Sequence, residues 1–148
     1  MSAVLPPVNF AVAARRHHAD AKTLGSQGRG ANAGQLYGLA VECGLKALLI
    51  ASGVVPDASG SLPGKHPMRK HLPMLADQLT IQGQLIPDGP TATHYLAMVP
   101  GRANFANWSV DQRYWHDTAL PLADLPGWAV AAAEVGNMLD QATQDGKL

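Results

Sequence analysis

An arginine, two aromatic residues and a histidine occupy consecutive positions from Arg113 to His116, in the most aromatic segment of the chain. Histidine can transfer the proton of a 2′-hydroxyl or of a leaving group, and arginine stabilises charge on a phosphate. The two residues share a face if the segment is helical, and Tyr114 and Trp115 can stack on a base. The pattern fits metal-independent RNA cleavage. It also fits a structural corner in which the aromatic residues fill a bundle and Arg113 pairs with Glu42.

A second candidate is the basic run at 65–71, which holds three fixed positive charges and two histidines within seven residues. Such clusters contact phosphates, and solvated loop flanks carry the same residue types. If the fold places this cluster beside the Arg-Arg-His-His run at 15–18, the nucleic-acid interpretation is favoured. The residues of this cluster that we expect to contact RNA or a nucleotide are Lys65, Arg69, Lys70 and His71, and Tyr114 is expected to join them.

The third candidate is the pair Glu42 and Lys46, which is expected to support the site. Glutamate one turn before lysine is the favourable order for a helical ion pair, about 0.2–0.5 kcal/mol when exposed. The pair lies in a predicted amphipathic helix at 31–50, with Asn32 as N-cap and Gly53 as the stop. An alternative is that the pair only solvates the outer face of this helix. The predicted buried stripe consists of Leu36, Leu39, Ala40, Cys43, Ala47 and Ile50.

The residues present no cofactor motif. The glycine-rich turn at 28–34 precedes a helix, but it lacks the Lys-Ser/Thr and the preceding strand of phosphate-binding and dinucleotide-binding loops. It therefore predicts a tight turn. The six histidines show neither the HExxH nor the CxxC spacing of metal sites. Arg69 and Lys70 would also oppose a cation between His66 and His71. We expect neither a metal nor another cofactor.

Composition limits the classes of partner. Hydrophobic residues make up 47% of the chain and charged residues 15%, so some apolar surface is expected to meet a partner. Eleven basic residues balance eleven acidic ones, so any nucleic-acid binding must come from a local patch. The single cysteine, Cys43, excludes an internal disulfide and fits a reducing compartment. No signal-peptide pattern is evident, and Glu42 and Lys46 interrupt the most apolar window. These features predict a cytoplasmic protein outside the membrane.

The 148 residues predict a single domain, 1–148, that buries a core without staples. No alternating β-branched run of useful length occurs, so we predict an all-α protein, an antiparallel bundle of four or five helices. Exposed loops or turns are predicted at 25–30, 54–67 and 83–89. Helices are predicted at 8–24, where Phe10 belongs to the apolar stripe, and at 31–50. A third helix is predicted to start at His71 or Pro73, with Leu72, Leu75, Ala76 and Leu79 on its buried side. Two more are predicted at 91–99, capped by Thr91 or Thr93, and from an Asp124 N-cap to before Gly146.

Taken together, these segments resemble the HEPN domains (higher eukaryotes and prokaryotes nucleotide-binding). The most specific match is the alanine-glutamate-x-x-leucine-lysine type motif of the second helix, present here as Val41, Glu42, Leu45 and Lys46. The other matching pieces are residues 17–20, 31–49, 70–75, 105–108 and 113–114. The resemblance implies an all-α bundle that pairs into a homodimer. It also implies RNA cleavage, nucleotide binding, or a toxin–antitoxin or defence role beside a small nucleotidyltransferase.

In catalytic members of that family the arginine precedes the histidine by several residues, whereas only two residues separate Arg113 from His116 here. The expected function is RNA or nucleotide binding. Its enzymatic version is a metal-independent endoribonuclease, with Arg113 on the phosphate and His116 transferring the proton. The alternative is a catalytically inert helical scaffold that docks a partner protein. Steep salt dependence would favour RNA, and salt-insensitive association would favour a protein partner.

Overall fold

The chain folds into α-helices joined by loops and short 3-10 turns in a computed structural model, which describes residues 4–83 and 86–148. No β-strand occurs in these ranges, and the predicted all-α class is confirmed. Residues 84 and 85 of the predicted turn 83–89, like the N-terminal residues 1–3, lie outside the described residues. The α-helices are α1 (Phe10–Ser26), α2 (Gly30–Ala51), α3 (Met74–Gln82), α4 (Gly89–Leu96) and α5 (Leu125–Gln144).

Helix α2 begins earlier than the sequence predicts. It starts at Gly30, and its N-cap residue Arg29 makes no side-chain hydrogen bond, so the predicted cap at Asn32 is wrong. A Cβ built on Gly30 would lie 3.4 Å from Cδ2 of Leu125, the first residue of α5. The first turn of α2 is therefore packed against the start of α5. This tertiary packing, rather than a capping side chain, accompanies the early start of the helix.

Helix α2 is buried on nearly all sides, whereas a single buried stripe was predicted. Only Ala40 and Ala47 of that stripe are buried, and its larger members are half-buried. The difference comes from glycines, which admit bulky neighbours to the opposite side of the helix. A Cβ on Gly44 would lie 2.2 Å from Cγ1 of Val135 in α5. The buried members of α2 include Ala33, Gly34, Tyr37, Gly38, Val41, Glu42, Gly44, Leu45, Leu48 and Leu49.

Trp108 closes the bundle against the α2 backbone. Its Nε1 donates a hydrogen bond to the Gly34 carbonyl at 3.0 Å. A Cβ on Gly38 would lie 1.9 Å from Cε2 of Trp108, so glycine is required at that position. Phe105 lies edge-on to Trp108 and stacks on Trp128, with ring centroids 6.3 and 6.1 Å apart. Phe105 and Trp108 therefore fill the bundle, as the structural alternative predicts for the aromatic residues, whereas Tyr114 and Trp115 are exposed and do not.

Helices α3 and α5 largely follow their predictions. Leu75, Ala76 and Leu79 are buried on the predicted side of α3, and Leu72, which precedes the helix, is buried as well. Helix α5 begins after Asp124 and ends at Gln144, before Gly146, as predicted, but the Asp124 side chain makes no capping hydrogen bond.

Helix α4 begins two residues before its predicted start. Asp88 caps it by accepting the Thr91 N–H at 3.1 Å, so neither Thr91 nor Thr93 is the cap. The segment that follows, 100–124, contains four short 3-10 turns, which agrees with its irregular pattern: Pro100–Phe105, Val110–Tyr114, Asp117–Ala119 and Leu122–Asp124.

The loop predicted at 54–67 is present but not fully exposed. Val54 and Leu62 are buried in it, and so is the neighbouring Met68. Among the described residues, α2 is the one helix with the length and hydropathy to cross a membrane, and 67% of its apolar window is buried inside the fold. Burial of this extent is what a central core helix requires.

Candidate functional site

Glu42 places a carboxylate inside the protein near the middle of α2, where only 4% of the residue is exposed. Lys46 Nζ lies 3.2 Å from Oε2, which confirms the predicted ion pair one turn apart. The Lys46 side chain is itself 12% exposed. The alternative that this pair only solvates an outer face is wrong. A charge at this depth is tolerated because cationic and N–H groups surround it.

The other partners of Glu42 come from the segment that leads into α3. Nδ1 of His71 lies 3.0 Å from both carboxylate oxygens, and the Leu72 N–H donates to Oε1 at 3.1 Å. A carboxylate only accepts hydrogen bonds, so the proton of this contact is assigned to Nδ1. Glu42 therefore holds Lys46 and His71 on either side of one buried anchor.

A cavity of about 300 Å³ opens beside this anchor. It brings together the basic cluster and the Glu42–Lys46 pair, which were separate candidates in the sequence. Lys65 is exposed and does not line it. We call this cavity the cationic pocket, and its lining residues are Phe10, Lys46, Ser61, Leu62, Arg69, Lys70 and His71.

The cationic pocket carries a local surplus of positive charge in a chain whose formal net charge is zero. Lys46, Arg69 and Lys70 supply fixed charges, and Glu42 offsets one of them. Charge-assisted hydrogen bonds from such groups are the usual means of holding phosphate oxygens. Lys46 is held by its ion pair, whereas Arg69 is exposed and available to a ligand. The pocket is chemically suited to an anion.

The loop that carries Ser61 is fixed by Asp57. The Asp57 carboxylate accepts from the Ser59 hydroxyl at 2.6 Å and from the backbone N–H groups of Ser59 and Ser61 at 2.9 and 3.1 Å. The Ser59 hydroxyl bond is the main cause that lowers the pKa of Asp57. Ser61 is therefore presented to the pocket from an ordered turn.

Arg113 lies in one 3-10 turn and His116 is the extended N-cap residue of the next, so the two do not share a helical face. Arg113 is in the turn Val110–Tyr114, and Trp115 then extends the chain with ψ of 152°. The Arg113 guanidinium lies over the Tyr114 ring, 4.8 Å from its centroid, and both residues are exposed. The prediction that Arg113 and His116 share a face is therefore wrong. The alternative, in which Arg113 pairs with Glu42, is also wrong, because Glu42 contacts Lys46 and His71 instead.

His116 is bound within its own turn. Its Nδ1 lies 3.0 Å from the Thr118 hydroxyl and 3.3 Å from the Thr118 backbone nitrogen, which is a capping arrangement. None of Arg113, Tyr114 and His116 lines the cationic pocket. The two groups of predicted site residues therefore form two separate surfaces.

The run at 15–18 lies in α1 and does not line the cationic pocket. Arg15 pairs with Asp140 of α5 at 2.8 Å. Burial is the main cause that lowers the pKa of His17 and of His18, and both therefore favour the neutral form. In the described part of the chain, no three His, Cys, Asp or Glu side chains converge as metal ligands would.

Phe10 and Ser61 were not predicted as site residues. Phe10 was assigned to the apolar stripe of the first helix, yet its ring lies 5.8 Å from Lys46 Nζ and forms a wall of the pocket. Ser61 lies in a glycine- and proline-rich loop whose composition indicates only a turn. No local signal marks either residue, because their roles depend on the packing of the loop and α1 against α2.

Comparison with known proteins identifies no relative of this chain: no family model, no curated protein and no solved structure matches it. The chemistry of the cationic pocket therefore has to be inferred from its own side chains.

Proposed function

We propose that this chain is a HEPN-like helical protein that binds RNA or a nucleotide through a phosphate group in the cationic pocket. The observation that carries the proposal is the buried Glu42 carboxylate, which holds both Lys46 and His71 at the pocket. Side chains fixed before a ligand arrives bind it without the entropy cost of ordering them.

In this proposal Arg69 and Lys70 neutralise the phosphate charge, and His71 donates a further hydrogen bond. Because Glu42 occupies Nδ1 of His71, Nε2 is the ring nitrogen that remains for a ligand. This arrangement follows a general rule, in which a carboxylate on one imidazole nitrogen fixes the tautomer and orients the other.

An RNA strand would extend from the pocket toward Tyr114, whose side chain is 76% exposed and suited to base stacking. Gln35 Nε2 donates to the Val110 carbonyl at 3.3 Å, which ties the Tyr114 turn to α2. Gln35 and Glu42 are two helical turns apart, so their backbones are separated by about 10 Å along α2. The pocket and the Tyr114 turn are therefore attached to α2 two helical turns apart.

The HEPN resemblance adds two further elements to the proposal: a homodimer, and an association with a small nucleotidyltransferase. Sedimentation of the purified chain tests the first. Co-purification with a small nucleotidyltransferase of the same source organism tests the second.

The deciding experiment is fluorescence anisotropy with labelled single-stranded RNA and, separately, a labelled nucleotide. Arg69→Ala/Lys70→Ala should weaken binding at least about tenfold, because two charged phosphate contacts are lost. Lys65→Ala is the matched control, since it removes a charge of the same loop outside the pocket and should leave affinity unchanged. Equal affinity of the wild type and the double variant would contradict the proposal.

A catalytically inert scaffold that docks a protein is the second candidate. It is favoured by the apolar residues exposed in the segment after Val110, where Trp115 is 46% and Leu122 is 42% exposed. Exposed residues of this type are common at protein interfaces. Association of this kind should be insensitive to salt, which separates it from phosphate binding.

A further inference from the structure

A second cavity lies next to the cationic pocket, with Phe10 as a wall of both. Its volume is about 430 Å³. The two cavities also use adjacent residues along the chain: Lys46 and Ser61 line the pocket, while Ala47 and Gly60 line the second cavity. The two spaces are therefore neighbours that share Phe10 as a common wall.

The second cavity is an apolar groove with a fixed wall. The Val8 N–H donates to the Ser59 carbonyl at 2.9 Å, which ties the N-terminal segment to the loop. Gly60 has φ of 87°, and a Cβ on it would lie 2.4 Å from the Val8 carbonyl oxygen, so glycine permits this approach. The apolar residues that line the groove include Leu5, Pro6, Val8, Ala47, Ile50 and Pro56.

The groove has few hydrogen-bonding groups that could bind a polar ligand. Asn9 is the polar side chain among its described lining residues, and its Oδ1 already accepts the Val12 N–H at 3.1 Å as the cap of α1. A nucleobase would leave its donors and acceptors without protein partners there, at a cost in affinity. An alkyl chain has no such groups and gains from burial against aliphatic walls.

We propose that the pocket and the groove form one site for a monomeric anionic amphiphile, with a phosphate head in the cationic pocket and an alkyl chain in the groove. The charge of Lys46, Arg69 and Lys70 at one end selects the anionic head. The aliphatic walls beyond Phe10 take the chain. This inference rests on the phosphate-binding role proposed for the pocket and adds a second class of phosphate ligand, in which an alkyl chain takes the place of the nucleoside.

The test is calorimetric titration with hexyl phosphate and decyl phosphate below their aggregation concentrations. Decyl phosphate should bind the wild type at least about tenfold more tightly, since each fully buried methylene adds about fourfold in affinity. Ala11→Phe, which fills the groove from α1, should remove this gain and leave hexyl phosphate binding in place. Val12→Phe is the matched control, because Val12 is its exposed neighbour outside the groove and the gain should persist.

Equal affinity for the two alkyl phosphates in the wild type would overturn the amphiphile site, and it would leave the phosphate pocket standing if Arg69→Ala/Lys70→Ala still weakened both. Equally tight binding of decyltrimethylammonium would overturn the anionic head. Failure of the phosphate pocket itself has a different signature, in which the double variant changes neither RNA nor alkyl phosphate binding. The chain-length comparison uses only the wild type, so it decides the matter even if Ala11→Phe does not fold.

Discussion

Nδ1 of His71 lies 3.0 Å from both carboxylate oxygens of Glu42, although the two residues are 29 positions apart in the chain. The contact joins the middle of α2 to the segment that leads into α3. With the Leu72 N–H and Lys46 as further partners, one carboxylate fixes a core helix, the start of a second helix and two side chains of the cationic pocket. Stability and ligand binding therefore depend on the same group.

Glu42→Ala is expected to lower the free energy of unfolding by about 3 kcal/mol, because Lys46 is left mostly buried without its counter-ion. Chemical denaturation of the two proteins measures the difference. Asp140→Ala is the control, since it breaks the exposed Arg15–Asp140 pair and should cost less than about 1 kcal/mol. Similar losses for the two variants would contradict the anchoring role of Glu42.

Salt should weaken RNA binding less steeply once the pocket loses charge. Each phosphate contact of a single strand contributes about 0.7 to the slope of log K against log salt. Arg69→Ala/Lys70→Ala should therefore reduce the slope by about 1.4, measured by anisotropy over a range of salt concentrations. Lys65→Ala should keep the wild-type slope, and a common slope for all three proteins would place RNA elsewhere on the surface.

Two glycine substitutions should have opposite effects on stability. Gly38→Ala should destabilise the protein by about 3 kcal/mol, because the new Cβ overlaps the buried Trp108 ring. Gly136→Ala in α5 should stabilise it by about 0.5–1 kcal/mol, because its Cβ meets only His18 Nδ1 at 3.8 Å and the helix gains propensity. Thermal unfolding measures both, and a neutral Gly38→Ala would mean that the ring can move away.

Tyr95 should stabilise the C-terminal end of α5 in a pH-dependent way. Its hydroxyl donates to Asp145, which raises the pKa of Tyr95 to about 12 and lowers the pKa of Asp145 from its ordinary value. The raised pKa gives stability that is present below about pH 10 and lost as the pH passes 12. The lowered pKa gives stability that is present above about pH 4 and lost in acid.

Tyr95→Phe should therefore lower the Tm by about 2–4 °C at neutral pH, and the difference from the wild type should shrink in acid and in strong alkali. Tyr114→Phe is the matched control, because Tyr114 is exposed and its Tm should equal that of the wild type at every pH. A Tyr95→Phe difference that is constant from pH 3 to pH 12 would exclude titration of this pair as its cause.

Single-stranded RNA incubated with EDTA should remain intact with both the wild type and Arg113→Ala/His116→Ala. Arg113 lies over Tyr114, and Nδ1 of His116 is bound within its own turn, so the two side chains do not form a joint site. Both are exposed, and the double variant should unfold within about 0.5 kcal/mol of the wild type. Cleavage by the wild type alone would establish a metal-independent ribonuclease instead.

The sequence predicts helices α3 and α5 well, because their apolar spacing and helix-start residues are local signals. Helix α5 has Pro126 in its first turn and a periodic apolar side, and the buried side of α3 follows from the spacing of Leu75, Ala76 and Leu79. The buried sides of α2 could not be predicted in the same way. A search for large apolar residues overlooks Gly38, whose missing side chain makes room for a tryptophan 70 positions later.

The parts of the candidate site could be predicted separately, but not their assembly into one pocket. The Glu42–Lys46 pair follows from its four-residue spacing, and the basic run from its composition. Their convergence could not be predicted, because it depends on the fold bringing His71 back to α2. Arg113 and His116 do not share a helical face, because the chain becomes extended at Trp115 and His116, after the 3-10 turn that contains Arg113.

The four glycines of α2 make this helix weak on its own, since each lowers helix propensity by about 1 kcal/mol relative to alanine. A peptide of this sequence should be a coil until Trp108, Trp128 and Val135 pack against it. The Glu42–Lys46 ion pair should therefore form only in the folded protein. A ligand bound at the pocket should slow amide hydrogen exchange along the whole of α2, because opening any part of the core releases the ligand.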